Sequence, residues 1–451
     1  MMSAHRKTST ERLAEFVAGA TPPLPAREPA SAAFRDTVGV IMAGTSEPAA
    51  QTVRKMAVED GRGHSRILGT KETTSPELAA LANGVAAHAL DYDDMCFVSL
   101  AHPSCVLVPA ALAAGEIEHA PGRLLIDAYV VGFELECRLG NAMNPKHYHE
   151  RGWHCTSSIG TLGAAAAAAR IFGLDVRATA HALGIAASAA CGLKENLGTM
   201  VKPLHAGLAA RNGIMAARLA RQGFTASERA LDGPQGYLAA MDSQHPSLDS
   251  AVSDLGTRWE IIQTGITVKL YPSCAATHVP LDTLLDLRRR ENLSADQIDT
   301  ITADVDSITP RLLIYDRPST GLEAKFSLPF CMAAAVVYGE LGIDTFAVDR
   351  IREPAIQALL PRVTMRIDPE FDKETAMSQA HVTVKLRDGK VLTKSGHGAR
   401  GYPGRITDEE LRIKFKACTR KIMSEETGDR AWAALKQIES IDDVRQLMEL
   451  L

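Results

Sequence analysis

Between residues 77 and 222 the chain repeats one pattern, alanine and glycine at helical spacing, and residues 164–169 are an unbroken run of alanine. Small side chains let helix backbones approach closely, and weakly amphipathic helices of this kind are buried on most sides. Segments 77–90, 104–118, 156–172, 178–190 and 207–222 all carry the pattern. It predicts a tightly packed helical domain. Pro109 is a candidate kink, because proline removes a helix hydrogen bond. Gly173 followed by Leu174 and Asp175 reads as a helix stop.

The character changes after Val268. Residues 299–307, 362–367 and 380–386 alternate in the manner of half-buried strands, and Asp388-Gly389 before 390–394 is a hairpin signal. Helical segments 279–292 and 328–340 lie between them. That mixture points to an α+β domain. From 407 the chain turns helical and charged again, with Asp408, Glu409 and Glu410 where a helix start favours negative charge. The expected fold is mostly α. A large all-helical domain comprises 1–268 and 401–451, the tail packing back on it, and a smaller α+β lid domain covers 269–400. A length of 451 residues exceeds one compact core, which agrees with such a division.

Composition narrows the function classes. A hydrophobic share of 46% and a charged share of 23% are ordinary for a globular protein. The net charge of −5 offers no overall basic footprint for nucleic acid. The first residues lack the apolar core of a secretory signal, and no run has the length and purity of a membrane helix, so the chain reads as soluble and cytoplasmic. The eight cysteines form no CxxC pair, which argues against structural zinc, and a disulfide framework is unexpected in such a chain. No nucleotide-binding glycine motif and no G-x-S-x-G elbow occurs. His147, His149 and His154 invite a metal reading, but residues five apart on a helix lie roughly 140° from one another, which spoils ligation from one face. Neither metal nor organic cofactor is expected.

Five segments carry a likeness to a known family: 89–109 (ALDYDDMCFVSLAHPSCVLVP), 151–163 (RGWHCTSSIGTLG), 198–213 (GTMVKPLHAGLAARNG), 268–278 (VKLYPSCAATH) and 323–330 (EAKFSLPF). In order, spacing and wording the chain resembles the MmgE/PrpD family, whose members include 2-methylcitrate dehydratases, cis-aconitate decarboxylases and iminodisuccinate epimerases. The resemblance implies a helical domain, an α+β lid, a homodimer and a small polycarboxylate substrate. It also implies site residues: Asp91 of the DxDD motif, His102 of HPS, His154 of the RG-aromatic-H motif, Lys202 of KPLH and Lys269 ahead of YPSC. Two positions depart from the pattern. Met95 stands where Thr or Ser is usual, and Phe330 where decarboxylase-like members carry an aromatic hydroxyl. The stretch GLKENLGTM is similar to the epimerase-like members.

These residue types suit proton transfer beside a carboxylate. Removing that proton concentrates negative charge on the carboxylate, so a metal-free enzyme needs fixed cations there, and Lys202 and Lys269 fit the need. A base of near-neutral pKa must also be within reach; His102 is the candidate, with Asp91 to orient it and His154 to deliver a proton from the other side. Tyr271 is a candidate substrate contact, and Lys325 reads as a surface or hinge residue. Proline after Lys202 suggests an extended or turn conformation there. The expected activity is that of a carbon–oxygen lyase of the dehydratase type, with an epimerase as the alternative and a non-catalytic binding protein third. The acting residues are expected to meet in a cleft between the two domains.

Overall fold

The computed structural model describes residues 7–245 and 247–451. The first six residues, part of the stretch considered for a secretory signal, lie outside that description. The chain divides into two compact units.

The first unit consists of Asp93–Val268 and Thr407–Leu451 with the chain up to Ala89. It is built from helices, principally Leu24–Gly44, Pro76–Ala89, Ser104–Glu118, Gly122–Met143, Gly160–Ile171, Val176–Ala189 and Val201–Arg221. The small-residue pattern has its expected consequence. Gly84 and Gly207 face each other across helices Pro76–Ala89 and Val201–Arg221, so closely that a Cβ added at Gly207 would lie 2.4 Å from the Leu81 carbonyl oxygen. Gly213 meets Ala164 equally tightly on helix Gly160–Ile171. The tail helix Asp408–Thr419 opens on a capping box from Thr407 and Glu410, and its Lys414 forms a buried ion pair with Asp36 at 2.7 Å. The tail thus packs back on the helical unit.

Three local readings need correction. Segment 156–172 is two helices, Cys155–Ser158 and Gly160–Ile171. The helix expected from 207 begins at Val201, and Lys202 lies inside it. Pro203 is tolerated there because the first-turn N–H groups have no intrahelical acceptor anyway. The helical unit also holds a short antiparallel pair of strands, Ser65–Arg66 and Thr73–Thr74.

The second unit is Lys269–Ile406 together with Leu90–Tyr92. Its sheet has four strands in the spatial order Val363–Ile367, Ile298–Val305, Gln379–Leu386, Val391–His397. The first pair runs parallel, with Ile301 opposite Val363, and the other two pairs are antiparallel. Ala380, Val382, Val384 and Leu386 are buried in alternation along their strand, the period-two pattern read from the sequence. Helices His278–Glu291 and Leu328–Tyr338 pack against the sheet. Hydrogen bonds explain why Leu90–Tyr92 belongs here. The Lys325 ammonium donates to the Leu90 carbonyl at 2.7 Å, Lys269 holds Asp91, and the Tyr92 hydroxyl reaches the Leu270 carbonyl at 3.4 Å. Lys325 is therefore buried rather than on the surface, its charge directed at the carbonyls of Leu90 and Pro272 and over the Phe346 ring.

Among the described residues no helix is long and apolar enough to cross a membrane.

Candidate functional site

Within the helical unit, four histidines from four chain segments converge. His88 sits in the last turn of helix Pro76–Ala89, and His102 two residues ahead of helix Ser104–Glu118. His154 precedes helix Cys155–Ser158, and His205 lies in the second turn of helix Val201–Arg221. Ring centroids are 4.7 Å apart for His88 and His102, 5.7 Å for His88 and His154, 6.2 Å for His102 and His154, and 5.2 Å for His154 and His205. The Gly84–Gly207 approach positions two of these helices.

Each ring is held through Nδ1. His88 donates to Asp93 Oδ2 at 2.7 Å, an ion-pair geometry in which both side chains are wholly buried. His102 Nδ1 lies 2.9 Å from Thr156 Oγ1, which also accepts the His102 backbone N–H at 3.1 Å. His154 and His205 meet Nδ1 to Nδ1 at 3.1 Å. The partner at Nδ1 couples the state of that nitrogen to what the ring presents at Nε2. Burial, and then the nearby His88, Lys202 and His102, hold His154 well below the ordinary histidine range. Burial likewise pushes His205 down to about 4. His154 is accordingly a neutral imidazole at pH 7. Lys202 is buried on the same helix as His205, and its ammonium acts on both His154 and His205.

Beneath this group, Asp94 accepts hydrogen bonds from the backbone N–H and the hydroxyl of Ser104, and the Ser104 hydroxyl lies 2.6 Å from the Tyr129 hydroxyl. Burial raises Asp94 to about 8, so its carboxyl is largely protonated at neutral pH. The helix following His102 is thus anchored by Asp94 through its first residue.

Asp91, Lys269 and Tyr271 belong to the second unit. Lys269 is fully buried and donates to Asp91 Oδ1 at 2.5 Å and to the Asp91 backbone carbonyl at 3.2 Å. Asp91 takes φ of +52°, a left-handed conformation that aspartate tolerates better than most residues. The Asp91 carboxylate carries the Lys269 ammonium, and Asp93 engages the His88 imidazole. Tyr271 donates to Asp282 at 2.6 Å and packs on His278. Its hydroxyl is engaged within the unit, and burial raises its pKa.

The structure therefore brings His102, His154 and Lys202 together in one unit, and Asp91 and Lys269 in the other. Sequence reasoning missed His88, His205, Thr156 and the role of Asp93. Two of these had a signal. His205 is the histidine of KPLH, three residues after Lys202 and so on the same helix face. His88 ends a readable helix just ahead of DYDD. The two departures from the family pattern are packed apolar groups. Met95 exchanges backbone hydrogen bonds with Thr267, and Phe330 lies against Phe346 with centroids 5.6 Å apart.

The group can accept or deliver a proton at two imidazoles set beside a buried ammonium. The histidine trio weighed from sequence is divided, because His147 bonds to Ser158 at 2.8 Å and stacks on Trp153. His88, His102 and His154 do each offer one nitrogen within 4.8 Å of the others.

The N-terminal domain of the MmgE/PrpD family matches residues 11–248, and its C-terminal domain matches residues 271–440. A cis-aconitate decarboxylase-like protein of Aspergillus oryzae is 28% identical over 92% of this chain and 91% of its own length. The mouse cis-aconitate decarboxylase is 28% identical over 92% of this chain and 87% of its own length. The human cis-aconitate decarboxylase is 29% identical over 83% and 79% respectively.

Proposed function

The chain belongs to the MmgE/PrpD family, and on that premise we propose that it is a lyase that moves a proton at the carbon beside a carboxylate of a small tricarboxylate. The observation that carries this reading is the pairing of His102 and His154, two imidazoles 6.2 Å apart between ring centres and close to a buried ammonium. His102 acts as the base, its ring oriented by Thr156. His154, neutral at working pH, delivers the second proton from Nε2 and is left as an imidazolate beside the Lys202 ammonium, a charge that the proton taken up by His102 then neutralises. Lys202 faces the charge that develops on the carboxylate. The chemistry is supplied by these side chains and takes no cofactor. Asp91 and Lys269 act as a pair: the ion pair shapes the wall that Lys269 contributes, and Lys269 meets the substrate with its charge partly offset. Tyr271, two residues from Lys269 in the same unit, is a further substrate contact. The assembly is a homodimer, as is implied by the family likeness.

Two leaving groups fit this site. Loss of water, the 2-methylcitrate dehydratase type, is the first reading, on the breadth of the family; apolar Met95 and Phe330, where hydroxyls are usual, weigh against loss of carbon dioxide and also remove two groups that could polarise a leaving hydroxyl. Loss of carbon dioxide is the second, supported by the names of the relatives. The epimerase alternative uses the same two imidazoles on opposite faces of one carbon. One experiment separates them: di- and tricarboxylates, cis-aconitate and 2-methylcitrate included, are incubated with the protein in deuterated water and followed by NMR. A new alkene signal with loss of water marks the dehydratase, carbon dioxide release marks the decarboxylase, and exchange with inversion marks the epimerase. Absence of exchange or product with every acid would overturn the reading.

A further inference from the structure

The KPLH segment gives Lys202 to the proposed reaction, while its histidine has no part in it. His205 is buried, and its Nδ1 lies 3.1 Å from Nδ1 of His154. A hydrogen bond between two Nδ1 atoms contains one proton, so one ring must carry its proton at Nδ1 and the other must accept there. The groups facing the pair disfavour a second proton: His88, Lys202 and His102 act on His154, and His88 and Lys202 act on His205. The pair therefore consists of two neutral imidazoles with different tautomers.

The direction comes from chemistry, and it rests on the proposed role of His154 as the acid. The ring has two nitrogens, and Nδ1 is the one turned to His205. A proton to be delivered elsewhere must sit on Nε2. Nδ1 of His154 must then be the acceptor, and His205 the donor. We propose that His205 is a positioning residue whose Nδ1–H, shared with Nδ1 of His154, keeps the His154 proton on Nε2, where an acid has to hold it. The arrangement parallels the way a hydrogen bond at one ring nitrogen dictates what the other can do. The local fold supports it: the His154 backbone N–H donates to the Gly192 carbonyl at 2.9 Å, and a Cβ added at Gly192 would lie 3.6 Å from His205 Cγ. The backbone at Gly192 therefore lies against both residues of the pair.

The test uses the full chain with nitrogen-15 in its histidines. Spectra are recorded for the wild type, His205→Asn and His205→Leu, with His154→Gln to assign the His154 signals. The wild type at pH 7 should show His154 as the neutral Nε2–H form. His205→Asn should preserve that form, because the asparagine amide reaches the place of Nδ1 and can donate. His205→Leu should lose it, giving a mixture or the Nδ1–H form. In turnover, His205→Leu should lower kcat about 10- to 100-fold with KM within about twofold, by analogy with the loss when a group orienting a metal-ligating imidazole is removed. His205→Asn should recover most of that loss. A His154 that is charged or Nδ1-protonated in the wild type overturns the proposal, and so does an unchanged His154 spectrum in a folded His205→Leu. A wild type that shows the expected tautomers but converts none of the acids sinks the proposed function and leaves the pairing standing.

Discussion

Two aspartates separated by one residue hold different basic partners. Asp91 faces the ammonium of Lys269, and Asp93 the imidazole of His88. Neither periodicity nor spacing distinguishes them, because the chain between helix Pro76–Ala89 and His102 is irregular and a left-handed residue at 91 redirects the backbone beyond it. The sequence therefore shows which residue types gather, while their pairing waits for coordinates. The pairing leads to different expectations for two lysines that look alike in sequence. Lys269→Met leaves the buried Asp91 carboxylate without its ammonium and should cost about 3–5 kcal/mol of stability, measured by chemical denaturation. Lys202→Met should chiefly weaken binding of a tricarboxylate inhibitor in calorimetry. Equal stability of both variants would show that the Lys269 pair is not structural.

Asp94 gives a prediction in pH. Its folded-state pKa, about 8, lies above the usual carboxylate value. The folded protein therefore holds that proton over a range in which the unfolded chain has released it. Stability from this group is fully present below about pH 4 and is lost as pH rises towards 8. Relative to Asp94→Asn, the wild type should lose stability steadily over that window and then level off. A difference independent of pH would mean that Asp94 is ionised in the fold.

At the scale of elements, the site depends on how close two helices come. Helix Pro76–Ala89 brings His88, and helix Val201–Arg221 brings Lys202 and His205. Gly84 and Gly207 are where they touch. Gly207→Ala inserts a methyl group against the Leu81 carbonyl, and overpacking of this kind costs about 1–3 kcal/mol. Because the contact lies between site-bearing helices, turnover should fall with stability; a folded Gly207→Ala of full activity would show that the spacing is not needed. The small-residue periodicity made this packing legible, as the period-two alternation did for strand Gln379–Leu386. The start of helix Val201–Arg221 was hidden by Pro203, whose preference against helix at the preceding residue is overridden in the first turn. Lys325 was hidden for another reason: its burial is supported by carbonyls from Leu90 and Pro272, far from it in sequence, and by the Phe346 ring.

For the whole molecule, the helical and mixed parts were legible from the change of pattern near Val268, and the family from five short segments. The leaving group was not, because dehydration, decarboxylation and epimerisation ask for the same histidines and lysines. Activity should survive thorough chelation, since proton transfer is assigned to side chains; loss on chelation with restoration by one metal would contradict that assignment. The central claim is that His102 is the base that moves a proton beside a carboxylate. The most direct measurement is turnover and deuterium incorporation by wild type and His102→Ala on the responsive tricarboxylate, with circular dichroism to establish that both are folded. The expected result is a folded variant slower by about 10²- to 10⁴-fold in both readouts, the range of general acid–base contributions. A folded His102→Ala that exchanges and converts the substrate at nearly the wild-type rate would contradict the claim.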